Sequence, residues 1–186
     1  MMRYTWKPEP KMHGTDVGIS LQGHWRSIPP VLYRCKALDL SVYKAKYWNE
    51  WTTMYLKSTV PAKPAIDIDT LMEPFAQEDR QLDTVELVAP QKRRFPSNTT
   101  VFMYNISTVP YTIMDFGCND RIGLFCEVLE ILSRYDIDIK GAYINTIGNV
   151  VSNIYFITYK GQKLDDTYVE YIRNSLENEM LHTDSY

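Results

Sequence analysis

Between Gly23 and Gly117 the chain contains no glycine, and seven prolines (Pro29, Pro30, Pro61, Pro64, Pro74, Pro90 and Pro96) fall between Gly23 and residue 97. Glycine is the usual residue where a tight turn needs positive φ, and proline interrupts helices and sheet ladders. A long segment with many breaks and few turn residues does not read as a compact domain. All four tryptophans, Trp6, Trp25, Trp48 and Trp51, lie in the first 51 residues. Residues 1–92 therefore read as an extended, aromatic-rich arm, and residues 93–186 as a folded domain. Charge follows the same division: residues 1–98 carry 14 Lys/Arg against 11 Asp/Glu, and residues 99–186 carry 6 against 12.

Within the arm, "ALDLSVYKAKYWNEWTTMYLK" places Leu40, Tyr43, Tyr47, Trp51, Met54 and Tyr55 at three- and four-residue steps. That spacing predicts an amphipathic helix over about 37–57. A shorter helix is expected at about 69–73, ahead of Pro74. Tyr and Trp bury large areas with few rotors and are favoured at interface cores. Trp6, Trp25, Tyr43, Tyr47, Trp48, Trp51 and Tyr55 are thus the candidate partner-binding residues, with the chain's own C-terminal domain as the other surface the stripe could cover.

The second half has a clearer pattern. Thr99–Ile106 and Tyr111–Phe116 are rich in β-branched and aromatic residues and read as strands. Leu124, Phe125, Val128, Leu129, Ile131, Leu132 and Tyr135 form a helical stripe, with Asp120 placed to cap its start. Two further strand-like runs flank Ile147-Gly148-Asn149, where Gly148-Asn149 suits a hairpin. Val169, Ile172, Leu176 and Met180 then follow at helical spacing, and Thr167 with Glu170 fits a capping box. The order ββαββα predicts an α+β sandwich: an antiparallel sheet with two helices on one face.

This order, together with "NDRIGLF" and "FITYKGQKLDD", resembles the ACT domain, a ferredoxin-like sandwich. It is most similar to the ACT repeats of PII uridylyltransferases and plant ACT-repeat proteins over about residues 93–181. Asp120, Arg121, Gly123 and Leu124 match the family's Asp-Arg-Pro-Gly-Leu pattern, and Ile122 stands where the family has proline. The resemblance implies that Thr99–Ile106 supplies the fourth strand of the sheet. It also implies an amino-acid site at Asp120, Arg121, Ile122, Gly123 and Leu124, with Asn145 on the following strand. In this reading a lone copy of the module would need a second subunit to complete the site.

The residues point to no catalytic constellation. Asp67-Ile68-Asp69 echoes a metal-binding Asp-x-Asp, but no glycine lies nearby to form the accompanying phosphate-contacting turn. His13, His24 and His182 are scattered, and Cys35, Cys118 and Cys126 have no metal-ligand spacing. Lys92-Arg93-Arg94 reads as a short solvated cluster. Neither a metal nor a cofactor is expected. A net charge of −3 gives no electrostatic case for nucleic acid, and no apolar run approaches membrane-spanning length. The odd cysteine count favours a reducing compartment, with an organellar interior or the cytoplasm as the expected location. The sequence therefore predicts a non-catalytic accessory subunit of a larger multiprotein complex, anchored to other subunits through residues 1–92. The alternative is an amino-acid-sensing regulatory subunit that controls a partner enzyme.

Overall fold

The computed structural model describes residues 3–6, 17–58, 71 and 99–181. Asp67, Asp69, Lys92, Arg93, Arg94, His13 and His182 lie outside them, as does the 69–73 helix apart from Leu71, which is helical and fully buried. The side chain of Trp6 is likewise not described.

The C-terminal half follows the expected order. Strands β5 (Thr100–Asn105) and β6 (Thr112–Asn119) precede a helix at Leu124–Arg134. Strands β7 (Ile137–Ile147) and β8 (Val150–Tyr159) then form a hairpin closed at Gly148, whose φ is +62°, ahead of a last helix at Asp166–Leu181. β5 pairs antiparallel with β6 at the edge of the sheet, the place expected for the fourth strand. The capping expectations need correction. Gly123, not Asp120, is the N-cap of the first helix, without a side-chain cap. At the last helix, Asp165 accepts from the Tyr168 N–H at 2.8 Å, and Thr167 lies inside the helix.

The expected helix over 37–57 is not formed. Those residues make a hairpin of β3 (Leu40–Trp48) and β4 (Trp51–Ser58), with Trp48 opposite Trp51. The three- and four-residue steps had joined residues from both faces of this hairpin. Ala45, Tyr47, Thr52, Met54 and Leu56 alternate into the core, whereas Lys44, Lys46 and Trp51 are exposed. The run is dense in Tyr, Trp and Thr, which suit a pleated surface. The turn lacks glycine: Asn49 and Glu50 both take positive φ, +50° and +62°, which suits a two-residue hairpin turn of the primed kind. Asparagine tolerates that conformation well and glutamate much less so.

Nor is the rest of 17–58 an extended arm. β1 (Arg3–Trp6) and β2 (Val17–Gln22) lead through a 3-10 turn at Trp25–Ser27 into α1 (Ile28–Ala37). Pro29 and Pro30 begin this helix instead of breaking it, because the first turn has no use for their missing N–H groups. With α2 for Leu124–Arg134 and α3 for Asp166–Leu181, the two halves repeat one plan. The sheet runs β1-β2-β4-β3-β7-β8-β6-β5, a palindrome in which β1 answers β5, β2 answers β6, β3 answers β7 and β4 answers β8. Finer details repeat too. Just past each helix an aspartate takes positive φ, Asp39 at +56° and Asp136 at +54°. Each following strand is irregular at the same place, between Val42 and Lys44 and between Ile139 and Gly141.

The halves join along β3 and β7, which pair antiparallel from Lys44–Asn145 to Trp48–Gly141. A Cβ on Gly141 would lie 2.2 Å from Trp48 Cε3, so glycine is what lets the indole cross the seam. Trp48 then meets Phe156 edge-on at 5.6 Å. On the other face α1 packs against α2. Val31, Leu32 and Cys35 share one apolar core there with Val128, Leu129 and Leu132, so burial couples the two halves.

Candidate functional site

The turn between β6 and α2 is built around Gly123. Its φ of +86° is a conformation that side-chain-bearing residues rarely adopt, and it lets the chain swing directly into α2. The Leu124 N–H donates to the Arg121 carbonyl at 3.2 Å, and the Gly123 carbonyl accepts from the Glu127 N–H at 3.1 Å. The unpaired N–H groups of the first helical turn give this end of α2 a partial positive charge.

Beside the turn lies a narrow cleft whose walls come from both halves. Asp120, Arg121, Gly123 and Leu124 form one side; Lys36, Leu40, Ser41 and Val42 form the other, with Ile144, Thr146 and Asn153 of the sheet between them. Its free volume is about 30 Å³, room for little more than water. Lys36 sits over the glycine: a Cβ there would lie 3.1 Å from its Cδ and 3.4 Å from its Nζ. The first half of the chain thus stands where a second subunit was expected.

Among the residues singled out from the sequence, Asp120, Arg121, Gly123 and Leu124 line the cleft, and Ile122 and Asn145 do not. Asp120 donates its backbone N–H to the Asn149 carbonyl at 2.9 Å. Burial pushes its carboxyl above the usual carboxylate range, against the pull of Lys57 and of a backbone hydrogen bond from Arg121. Arg121 forks onto buried Glu127, Nη1 reaching Oε1 at 2.9 Å and Nη2 reaching Oε2. A guanidinium so engaged braces the turn. Asn145 uses its backbone N–H on Asn153 Oδ1 at 3.2 Å, and Asn153 is the amide that faces the cleft.

Sequence reasoning missed Lys36, Ser41 and Asn153. A signal for the last was present, a polar residue at an inward position of β8; Lys36 and Ser41 become visible only once residues 28–48 are read as helix and strand. The partner-binding set also changes. Trp25 and Tyr47 are core residues at 1% and 6% exposure. Trp48 is half-buried against Phe156 and Tyr111. Tyr43 and Tyr55 meet each other at 6.3 Å, leaving Trp51 the one large exposed aromatic of the set among the described residues. All three cysteines are buried and outside any disulfide among the described residues, and burial pushes the thiols of Cys35 and Cys118 up to about 12.

The corresponding turn of the first half, between β2 and α1, is closed. Trp25 fills it, and its indole Nε1 donates to Asp138 Oδ1 on β7 at 2.6 Å. Lys140 Nζ holds the other oxygen at 2.6 Å, and His24 Nε2 lies 3.3 Å from Oδ1. Burial alone would raise the Asp138 carboxyl, but Lys140, Trp25 and His24 outweigh it and hold it below the usual range.

This architecture is the ACT fold. The crystal structure of aspartate kinase from Synechocystis superimposes on 90% of the chain with a TM-score of 0.51, at 14% identity, using 28% of that kinase chain. Coverage so broad takes in the first half as well as the second. No family model matches the sequence. It is similar to the bifunctional uridylyltransferase/uridylyl-removing enzyme of Ectopseudomonas mendocina, 28% identical over 89 residues, 47% of this chain and 10% of that enzyme. The enzyme of the same name from Pseudomonas fluorescens is 30% identical over 71 residues, 38% of this chain and 8% of that enzyme. The chain thus spans about a tenth of the length of these curated relatives. Among the described residues no helix is long and apolar enough to cross a membrane.

Proposed function

We propose that the chain is a non-catalytic regulatory module that binds one small amino acid in the cleft between its two halves and signals occupancy to a partner protein. The observation that carries this reading is the cleft's shared lining: a ligand there would touch the turn at Gly123 and, across the seam, α1 and β3. The chemistry suits a zwitterion. A carboxylate meets the start of α2 and the ammonium of Lys36, while an amino group meets Asp120, whose half-buried carboxyl gains from a nearby cation. The side chain then faces Leu40, Val42 and Ile144, which favours small aliphatic ligands. Lys36 is exposed and swings aside on entry.

Thermal unfolding of the purified chain with each amino acid in turn tests this. A ligand at one hundred times its Kd stabilises by about 2.7 kcal/mol, and the shift disappears in Lys36→Ala and Asp120→Asn. If no amino acid moves the transition, the reading fails.

A second reading, an accessory subunit of a larger assembly, is favoured by the outer face of the sheet. Phe102, Trp51 and Tyr143 are 65%, 47% and 41% exposed there, and aromatic residues are enriched in interface cores. Charged replacements at Phe102 and Tyr143 that leave melting unchanged but release the chain from a large native complex favour it.

A further inference from the structure

From β2 through α1 to the seam strand, the first half corresponds residue by residue to β6, α2 and β7 under one constant shift in numbering, the shift that carries Asp39 onto Asp136. Under it Lys36 maps onto Ser133, Gly123 onto Arg26, Ile122 onto Trp25 and Ser41 onto Asp138. The contacts obey the same mapping. Lys36 lies against Gly123 at one turn, and Arg26 Nη1 donates to Ser133 Oγ at 2.9 Å at the other. The 120–124 turn faces Ser41 across the cleft, and Trp25 bonds to Asp138. The backbone therefore offers two equivalent places, and side chains decide which is open. Where the second half has Ile122 and Gly123, the first has a tryptophan with an arginine guanidinium 4.8 Å over its ring. Where the open place has the small neutral Ser41, the closed one has a carboxylate that accepts the indole N–H.

We propose that Trp25 is a built-in occupant of the first half's counterpart of the cleft, held by Asp138 and Arg26, so that the tandem offers one ligand place per chain instead of two. The count of one rests on the amino-acid reading of the open cleft; the plug itself does not. An indole that is 1% exposed and tied at its single polar atom fills its place as a bound aromatic ligand would. Removing it leaves a ring-sized apolar space with a carboxylate at its end, and apolar cavities of that kind accept small aromatic molecules.

The test is chemical rescue of the full chain. Trp25→Ala melts well below the wild type, and free indole raises its melting temperature, or permits refolding if the variant does not fold alone; indole leaves the wild type unmoved. In the double variant Trp25→Ala/Asp138→Ala the rescue is at least tenfold weaker in indole concentration. Calorimetric titration of the wild type with its amino acid gives one site. Absence of indole rescue overturns the plug, and two sites per wild-type chain overturn the count. A wild type that binds no amino acid while its variant is still rescued overturns only the reading of the open cleft.

Discussion

The turn at 23–27 and the turn at 120–124 occupy equivalent positions in one sheet, yet one is packed shut and the other keeps a gap. Backbone plan alone does not separate them: both lead from a strand into a helix, and both face the first residues of the other half's seam strand. Their side chains do. Trp25 fills its turn and closes it with a charged hydrogen bond, whereas Ile122 leaves the cleft and Gly123 contributes no side chain. The closed turn is packed for stability, and the open one sets a helix start beside an exposed cation and a half-buried carboxyl.

The contrast breaks most visibly if the two positions respond alike to truncation. Trp25→Ala is expected to lose about 3–5 kcal/mol in urea unfolding, and Ile122→Ala, which is not buried, less than about 1.5 kcal/mol. The seam that places the halves side by side comes next. Gly141→Ala forces Trp48 off the sheet and is expected to cost about 1–3 kcal/mol. Gly123→Ala puts a Cβ into the left-handed region and against Lys36, and about 1–2 kcal/mol follows from the backbone alone.

The smallest effects are electrostatic and opposite in sign. Asp138 is held below its ordinary range, so its stabilising contribution is present above the unfolded-state pKa of about 4 and is lost as pH falls through the folded value. Asp120 is held above, so ionising it as pH rises weakens the fold. Melting curves of Asp138→Asn should fall below the wild type near neutral pH and converge with it on acidification. Asp120→Asn should match or exceed the wild type near neutral pH. Two variants shifting in the same direction would contradict the contrast between the turns.

The second half was legible in the sequence because its turns advertise themselves. Gly148 marks a hairpin, Gly123 marks the entry to a helix, and β-branched runs mark the strands between. The first half builds the same elements from less informative residues. Its hairpin turns on Asn49-Glu50, its helix opens on a proline pair that reads as a break, and its strands space aromatic residues at helical intervals. The site was therefore half visible: Asp120 to Leu124 were found, and the wall facing them was not. Asp120 was also expected to cap α2, but the positive φ of Gly123 brings the chain into the helix three residues later and leaves that carboxyl at the cleft.

The central claim is that residues 17–58 form a folded half of the same sheet and not an arm awaiting a partner. Backbone hydrogen exchange on the isolated chain tests it directly. Amides of β3 and β4 that are paired in the sheet should exchange as slowly as those of β7 and β8, because the four strands open together. Exchange of residues 40–58 at unprotected rates, with residues 137–159 still protected, would contradict it.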